Sequence, residues 1–178
     1  MVKETGSMQW VRGLALVILG IIVVMALRGP RDQSGTGRKF PEVELPLLKG
    51  GTISTRDLAG KTVVLNFFAT WCRPCNMEMP ELTRFAQAQD PNKVEVIGIS
   101  AGDEHRLDIR PFAEHHHIKY PIAIGGEMLL NRLGSSALPT TVVVNPQGEI
   151  TRMVQGMINE QWLQAAVKEA QASIHGGN

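Results

Sequence analysis

The chain has 178 residues, 43% hydrophobic and 20% charged, with a formal net charge of +1, which suits one packed domain plus an appendage. Nothing in that balance suggests a nucleic-acid binder, which would usually show a basic face or stripe. The two cysteines are too few for a disulfide-stapled scaffold, and a body of this size needs no staples, so the pair reads as a working part.

In chain order, the first feature is residues 13–27, GLALVILGIIVVMAL, fifteen residues without a charge between Arg12 and Arg28. Fifteen is short of the roughly 20 residues a membrane span needs. Trp10 and Val11 extend the run, and Arg12 can snorkel. Residues 1–28 are therefore read as a cytoplasmic tail and a signal-anchor transmembrane helix. A cleaved signal peptide and a buried core helix are the alternatives. MALRGP places Arg28 and Pro30 where cleavage would be expected, which argues against the first. No cysteine follows the run, so there is no lipid attachment by that route. Lys3 and Arg12 precede it, and Arg28, Arg31, Arg38 and Lys39 follow it. That distribution mildly opposes a cytoplasmic N-terminus. The short tail and a folded dithiol domain favour one, and the expectation is a single-pass protein with its domain outside. Residues 29–39, GPRDQSGTGRK, read as a flexible linker, and residues 40–178 as the domain.

The segment 43–54, VELPLLKGGTIS, predicts two short strands around Gly50-Gly51, with Pro46 on an edge. Residues 62–69, TVVLNFFA, form a β-branched, aromatic, apolar run that predicts a central strand. From Cys75 to about Ala88, Met79, Leu82, Phe85 and Ala86 recur at helical spacing. KVEVIGIS, 93–100, is a second strong strand. Leu107–His116 is a weaker helix, in which Pro111 is tolerable only near the start. A short strand at 120–125 and a short helix at 127–133 follow. Thr140–Asn145 is a third strong strand, Pro146–Gly148 a turn, and 149–156 its hairpin partner. Asn159–Ser173 predicts an amphipathic helix capped by Asn159, with Trp162, Leu163, Ala166, Val167 and Ala170 as its apolar stripe. The order β-β-β-α-β-α-β-α-β-β-α predicts an α/β fold, one mixed sheet with helices on both faces.

Both cysteines lie in FFATWCRPCNMEMP, 67–80. Cysteines three apart meet on one side of a first helical turn and can close an intramolecular disulfide. The strand ending near Ala69 delivers Cys72 to a helix start, where unpaired amides and the helix dipole favour a thiolate. Arg73 adds positive charge, and Pro74 fits the first turn at no hydrogen-bond cost. Cys72, at the exposed helix start, is expected to attack or be attacked. Cys75, more buried, is expected to resolve the mixed disulfide, and Trp71 is apolar cover. A structural or incidental pair is the alternative. Zinc needs four ligands, and no histidine follows at finger spacing. His115-His116-His117 reads as a solvated cluster at a helix end, and His105 and His175 join no constellation. No metal or cofactor is expected beyond the Cys72–Cys75 disulfide itself.

WCRPC followed by ALPTT at 137–141 resembles the thioredoxin superfamily. The resemblance implies a thioredoxin-like mixed sheet flanked by helices. It also places the family's cis-proline at Pro139, with Leu138 and Thr140 beside it in a substrate groove. A cis bond would leave the preceding backbone free to pair with a substrate chain; the alternative is an ordinary loop proline. More narrowly, WCRPCNMEMPEL resembles the membrane-anchored, extracytoplasmic thioredoxin-like proteins of bacteria, the TlpA/ResA/CcmG-type group. That resemblance covers about 40–172. It implies a single anchor, an added N-terminal β-hairpin and an insertion at about 117–133. Glu78 matches the family's acidic residue three positions after the second cysteine, and Pro80 its following proline. Thioredoxin's buried Asp, six residues before the first Cys, is here Asn66, which cannot move a proton at neutral pH. Its Gly-Pro is Arg73-Pro74. Glu78 is then the candidate proton handler, with a pKa raised by partial burial and by a nearby thiolate, and with coupled titrations. A surface glutamate is the alternative. Glu81, one turn on, reads as solvent-facing.

The expected activity is that of a thiol-disulfide oxidoreductase working as a reductant outside the cytoplasmic membrane, on the periplasmic side. Its expected partners are disulfide-bearing proteins, for which the resemblance implies the haem-attachment cysteines of apocytochromes c, and an upstream membrane thiol-disulfide electron donor. No nucleic acid is expected, and a monomer is. The rivals are a disulfide oxidase or isomerase, a reductant for copper-site or oxidase assembly, a peroxide reductase, and a non-enzymatic binding module using the groove by Pro139.

Overall fold

A computed structural model describes residues 14–20, 31–34, 37–102 and 106–173, and contacts divide the chain into units Met1–Arg31 and Asp32–Asn178. In the first unit, residues 14–20 are helical, with Leu14, Leu16, Val17, Ile18 and Leu19 exposed. No described helix is long and apolar enough to cross a membrane. The rest of the predicted anchor lies outside the described residues.

Two short pieces of strand structure precede the central strands in the chain, one in the main sheet and one beside it. Part of the segment read as a linker is strand β1, Arg31–Ser34, which takes the sheet edge beside the last strand. An open edge presents unpaired backbone groups, and even polar residues can fill it. The predicted hairpin is present: Glu44–Pro46 (β2) pairs antiparallel with Thr52–Ser54 (β3). Gly50 and Gly51 turn the chain at φ 98° and 77°, angles that side chains resist. Ser54 and Asp57 then form a reciprocal cap on a short 3-10 turn, Thr55–Leu58.

The main sheet has six strands in the order β1-β8-β7-β4-β5-β6. Here β4 is Thr62–Phe68, β5 Val94–Ser100, β6 Ile122–Ile124, β7 Thr140–Val144 and β8 Ile150–Gln155. β4 runs parallel to β5 and antiparallel to β7, β6 is parallel to β5, and β8 is antiparallel to β7. All seven residues of β4 are buried, as its unbroken apolar run predicts for a strand covered on both faces. Alternation sorts them. Val64 and Phe68 pack with the helices α1 (Arg73–Ala88), α2 (Arg106–His115) and α4 (Glu160–Ala172). Val63, Leu65 and Phe67 pack with α3 (Glu127–Arg132) and the β2–β3 hairpin. Asn66 shares the parity of Val64 and Phe68, so it points at α1.

Helix boundaries differ from expectation in two places. α1 starts at Arg73 rather than Cys75, because Cys72 takes the cap position and Pro74 sits in the first turn. Pro111 lies inside α2, not at its start; a proline there withdraws one donor, and the helix continues around it. The segment 117–133, for which the resemblance implies an insertion, holds the edge strand β6 and helix α3.

Gly126 takes the N-cap position of α3, with its O accepting the Leu130 N–H at 2.9 Å, and its own N–H donates to Ser100 O at 2.8 Å. A Cβ there would fall inside the van der Waals shell of Ile99 Cγ2, although its φ of −76° suits any residue. Gly126→Ala is therefore expected to lower stability by about 2 kcal/mol through overpacking. A urea melt checks this, and an unshifted midpoint would mean that Ile99 moves aside.

Candidate active site

β4 ends at Phe68, and four residues, Ala69 to Cys72, carry the chain to α1. Cys72 N–H donates to Ala69 O at 3.1 Å, and Cys72 caps α1 with its Sγ accepting from the Cys75 N–H at 3.3 Å. The two sulfurs are joined, with S–S 2.05 Å. Cys72 is 5% exposed and Cys75 fully buried. The expected order of exposure holds, but Cys72 is less open than a bare helix start suggested, because it packs into the α1-side core. Trp71 is 70% exposed. Its ring lies beside Gly102, where a Cβ would come within 3.4 Å of it. Arg73 and Pro74 are exposed.

The Leu138–Pro139 bond is cis. Thr140, which opens β7, sits opposite Phe67 of β4, and this register brings Pro139 to the end of β4 that leads to Cys72. Thr140 Oγ1 donates to Ala137 O at 2.7 Å, and Pro139 O accepts the Gly156 N–H at 2.8 Å. Pro139 and Thr140 are buried and Leu138 half-buried.

Glu78 is not a surface residue. It is 2% exposed, one helical turn beyond Cys75 on the same buried face. Its Oε1 accepts from Asn66 Nδ2 at 2.7 Å, and its Oε2 from the Ile158 N–H at 3.1 Å. Burial raises its pKa to about 7, against the lowering effect of those two donors. Asn66 also donates to Thr141 Oγ1 at 3.1 Å. Its Oδ1 is buried with no hydrogen-bond partner among the described residues. An amide that turns over could therefore offer that oxygen to a protonated Glu78. Glu81 departs from its solvent-facing reading. It is half-buried and accepts the Glu160 N–H at 2.7 Å, at the start of α4.

In the histidine cluster, His115 and His117 are exposed at the helix end as expected, and only His116 departs. His116 is half-buried and sits 3.0 Å from Asn76 Oδ1. Burial first, then the neighbouring His115 and His117, lower its pKa. Asn76 was legible only as a polar residue one turn after Cys72, and nothing local marked His116 as its partner. Among the described residues, no group of three His, Cys, Asp or Glu side chains is placed to hold a metal ion.

A mixed sheet of this order, with a Cys-x-x-Cys pair where β4 meets α1 and a cis-proline at the start of the adjacent antiparallel strand, defines a thioredoxin-like thiol-disulfide oxidoreductase. Residues 36–153 match the AhpC/TSA family, and the chain belongs to it. It is 32% identical to the thiol-disulfide oxidoreductase ResA of Halalkalibacterium halodurans, over 83% of this chain and 84% of that protein. To the ResA of Bacillus thuringiensis it is 28% identical, over 89% and 94%. Among solved structures, it is similar to a DsbF homologue from Corynebacterium diphtheriae, with TM-score 0.71 and 25% identity over 80% of this chain and 94% of that one.

Proposed function

We propose that this oxidoreductase works as a reductant of protein disulfides on the outer side of the cytoplasmic membrane. The observation that carries the direction is the buried Glu78 carboxyl one turn beyond the buried Cys75. A carboxylate held there opposes a neighbouring thiolate. Reduction potential rises when the reduced dithiol is stabilised, so this pairing keeps the potential low. Arg73 pulls the other way, but it is exposed, and solvent and salt screen an exposed charge far more than a buried one. Cys72 thiolate attacks the target disulfide, Cys75 releases the reduced product, and Glu78 handles the proton. Trp71, Arg73, Pro74, Leu138, Pro139 and Thr140 surround the approaching target.

Residues 1–28 serve as tail and anchor, and 29–39, part of which joins the sheet as β1, lead from it into the catalytic domain, 40–178; the uncharged run 13–27 supports this arrangement. The target class is a protein whose paired cysteines must be free thiols, such as the C-x-x-C-H haem-attachment site of an apocytochrome c. The resemblance of WCRPCNMEMPEL supports that choice. A membrane thiol-disulfide donor re-reduces the pair, and the chain acts as a monomer.

Equilibrating the purified chain against thiol-disulfide buffers tests the direction. The expected potential is about −270 mV or lower, and a value near about −120 mV would make the chain a disulfide donor instead.

A further inference from the structure

Asn76 lies one turn into α1 from Cys72, and both hydrogens of its amide are engaged. Nδ2 donates to Thr70 O at 3.0 Å and to Cys72 O at 2.9 Å, the two carbonyls that flank Trp71. Turning the amide over would set an oxygen against both carbonyls, so Oδ1 is the end that faces His116 Nε2 at 3.0 Å. An oxygen offers only lone pairs there, and His116 must supply the hydrogen. The imidazole therefore carries a proton on Nε2.

His116 is itself held from three sides. Its ring lies 4.5 Å from that of Phe112, which stacks on Phe68 at 5.1 Å. Phe68 is the last residue of β4, just before the segment that Asn76 holds. The His116 carbonyl accepts from Thr83 Oγ1 at 3.5 Å. Asn76 and Thr83 lie two turns apart on one face of α1. His117, at φ 53°, then turns the chain away. A continuous series of contacts thus runs from the β4 core through Phe112 and His116 to Asn76 and the Thr70 and Cys72 carbonyls.

We propose that His116 is a positioning residue for thiol-disulfide exchange: through Asn76 it fixes the Thr70–Cys72 backbone that aims Trp71 and the Cys72 sulfur at an incoming disulfide. Exchange requires the attacking sulfur to approach along the axis of the bond it breaks, so a small misplacement of the backbone slows the reaction without unfolding the protein. The inference rests on Cys72 as the attacking sulfur.

The test compares His116→Leu, which keeps an apolar side chain against Phe112 and removes the donor, with His116→Gln, which keeps an N–H donor. The reduced full chain is reacted with 5,5′-dithiobis(2-nitrobenzoate) and with insulin, and each variant is melted alongside. His116→Leu is expected to slow both reactions about fivefold, the loss of roughly one net hydrogen bond, with His116→Gln restoring most of the rate. Equal slowing of both variants, or no slowing in either, overturns the proposal. If His116→Leu does not fold, Asn76→Ala and its combination with His116→Gln take its place. The role predicts a slowing in Asn76→Ala that His116→Gln leaves unchanged, and a full-speed Asn76→Ala overturns it. Cys72→Ser is run in parallel. An active Cys72→Ser removes the underlying assignment, whereas an inert one beside a full-speed His116→Leu sinks only the His116 role.

Discussion

Cys72→Ser is expected to abolish disulfide turnover, and Cys75→Ser to stall with the target covalently attached. In the proposed reaction, the thiolate at Cys72 displaces one sulfur of the target disulfide, which leaves as a thiolate, and a mixed disulfide joins enzyme and target. Cys75 then attacks the Cys72 sulfur, releases the second target thiolate and closes the Cys72–Cys75 bond. Both electrons come from the dithiol, so the products are an oxidised enzyme and a reduced target. A serine hydroxyl at position 72 cannot perform the first step, and the expected loss is complete. A serine at 75 leaves the first step intact and removes the second. Non-reducing gels of Cys75→Ser mixed with a peptide carrying an oxidised C-x-x-C-H site should show the adduct, which dithiothreitol then releases. No adduct with any disulfide target would rule out the exchange mechanism. An adduct with other disulfides but not with the haem-site peptide would leave the mechanism standing and remove the proposed target.

Glu78→Gln is expected to remove a large part of the pH dependence of stability. Burial raises the Glu78 pKa from an ordinary 4.5 to about 7. Between those values the folded chain binds a proton that the unfolded chain has released. The contribution to stability is complete below the ordinary pKa and is lost as pH rises through the folded value. The loss across that window is about 3 kcal/mol at 1.36 kcal/mol per unit. Glutamine keeps the shape, and its oxygen can accept the Ile158 N–H, but it does not titrate. Urea melts of the oxidised protein at pH 5 and pH 8 should show the wild type losing stability with rising pH and the variant losing much less. Parallel slopes in the two proteins would assign the dependence to other groups. The variant should also alter the pH profile of thiol titration at Cys72 and Cys75, since the carboxyl and the thiols titrate as a coupled set. An unchanged thiol profile would detach Glu78 from the dithiol even if the stability result holds.

Local pattern carried most of the architecture. The β-branched runs at 62–69, 93–100 and 140–145 each became a strand of the main sheet. The unbroken apolar run of β4 already marked a strand covered on both faces, and Asn159 caps α4 as its position suggested, with its Oδ1 accepting the Trp162 N–H at 2.8 Å. The two cysteines fell at a strand-to-helix junction because an apolar strand ends there and a proline-tolerant first turn begins. These features depend on residues a few positions apart, which is the range over which periodicity, capping and turn chemistry act.

The groups around the dithiol were decided at longer range. Asn66 could be read as a replacement for a titrating residue, yet only the fold shows that it donates to Glu78, 12 residues away. The other donor to Glu78 is the backbone of Ile158, 80 residues on. Glu81 looked solvent-facing by helical position, and the arrival of α4, 79 residues later, half-buried it. His116 read as one of three solvated histidines until α2 packed against α1 and set its ring against Asn76, 40 residues earlier. The central strands, the helices and the place of the dithiol were legible in local pattern, because backbone propensity and apolar spacing are local, whereas the edge strand β1 was not, because polar residues join a sheet edge only when a neighbouring strand is there to pair with. The burial that raises the Glu78 pKa and the clamp on the Cys72 backbone belong to the tertiary structure, because desolvation and a hydrogen bond between distant side chains exist only once separate elements have packed together.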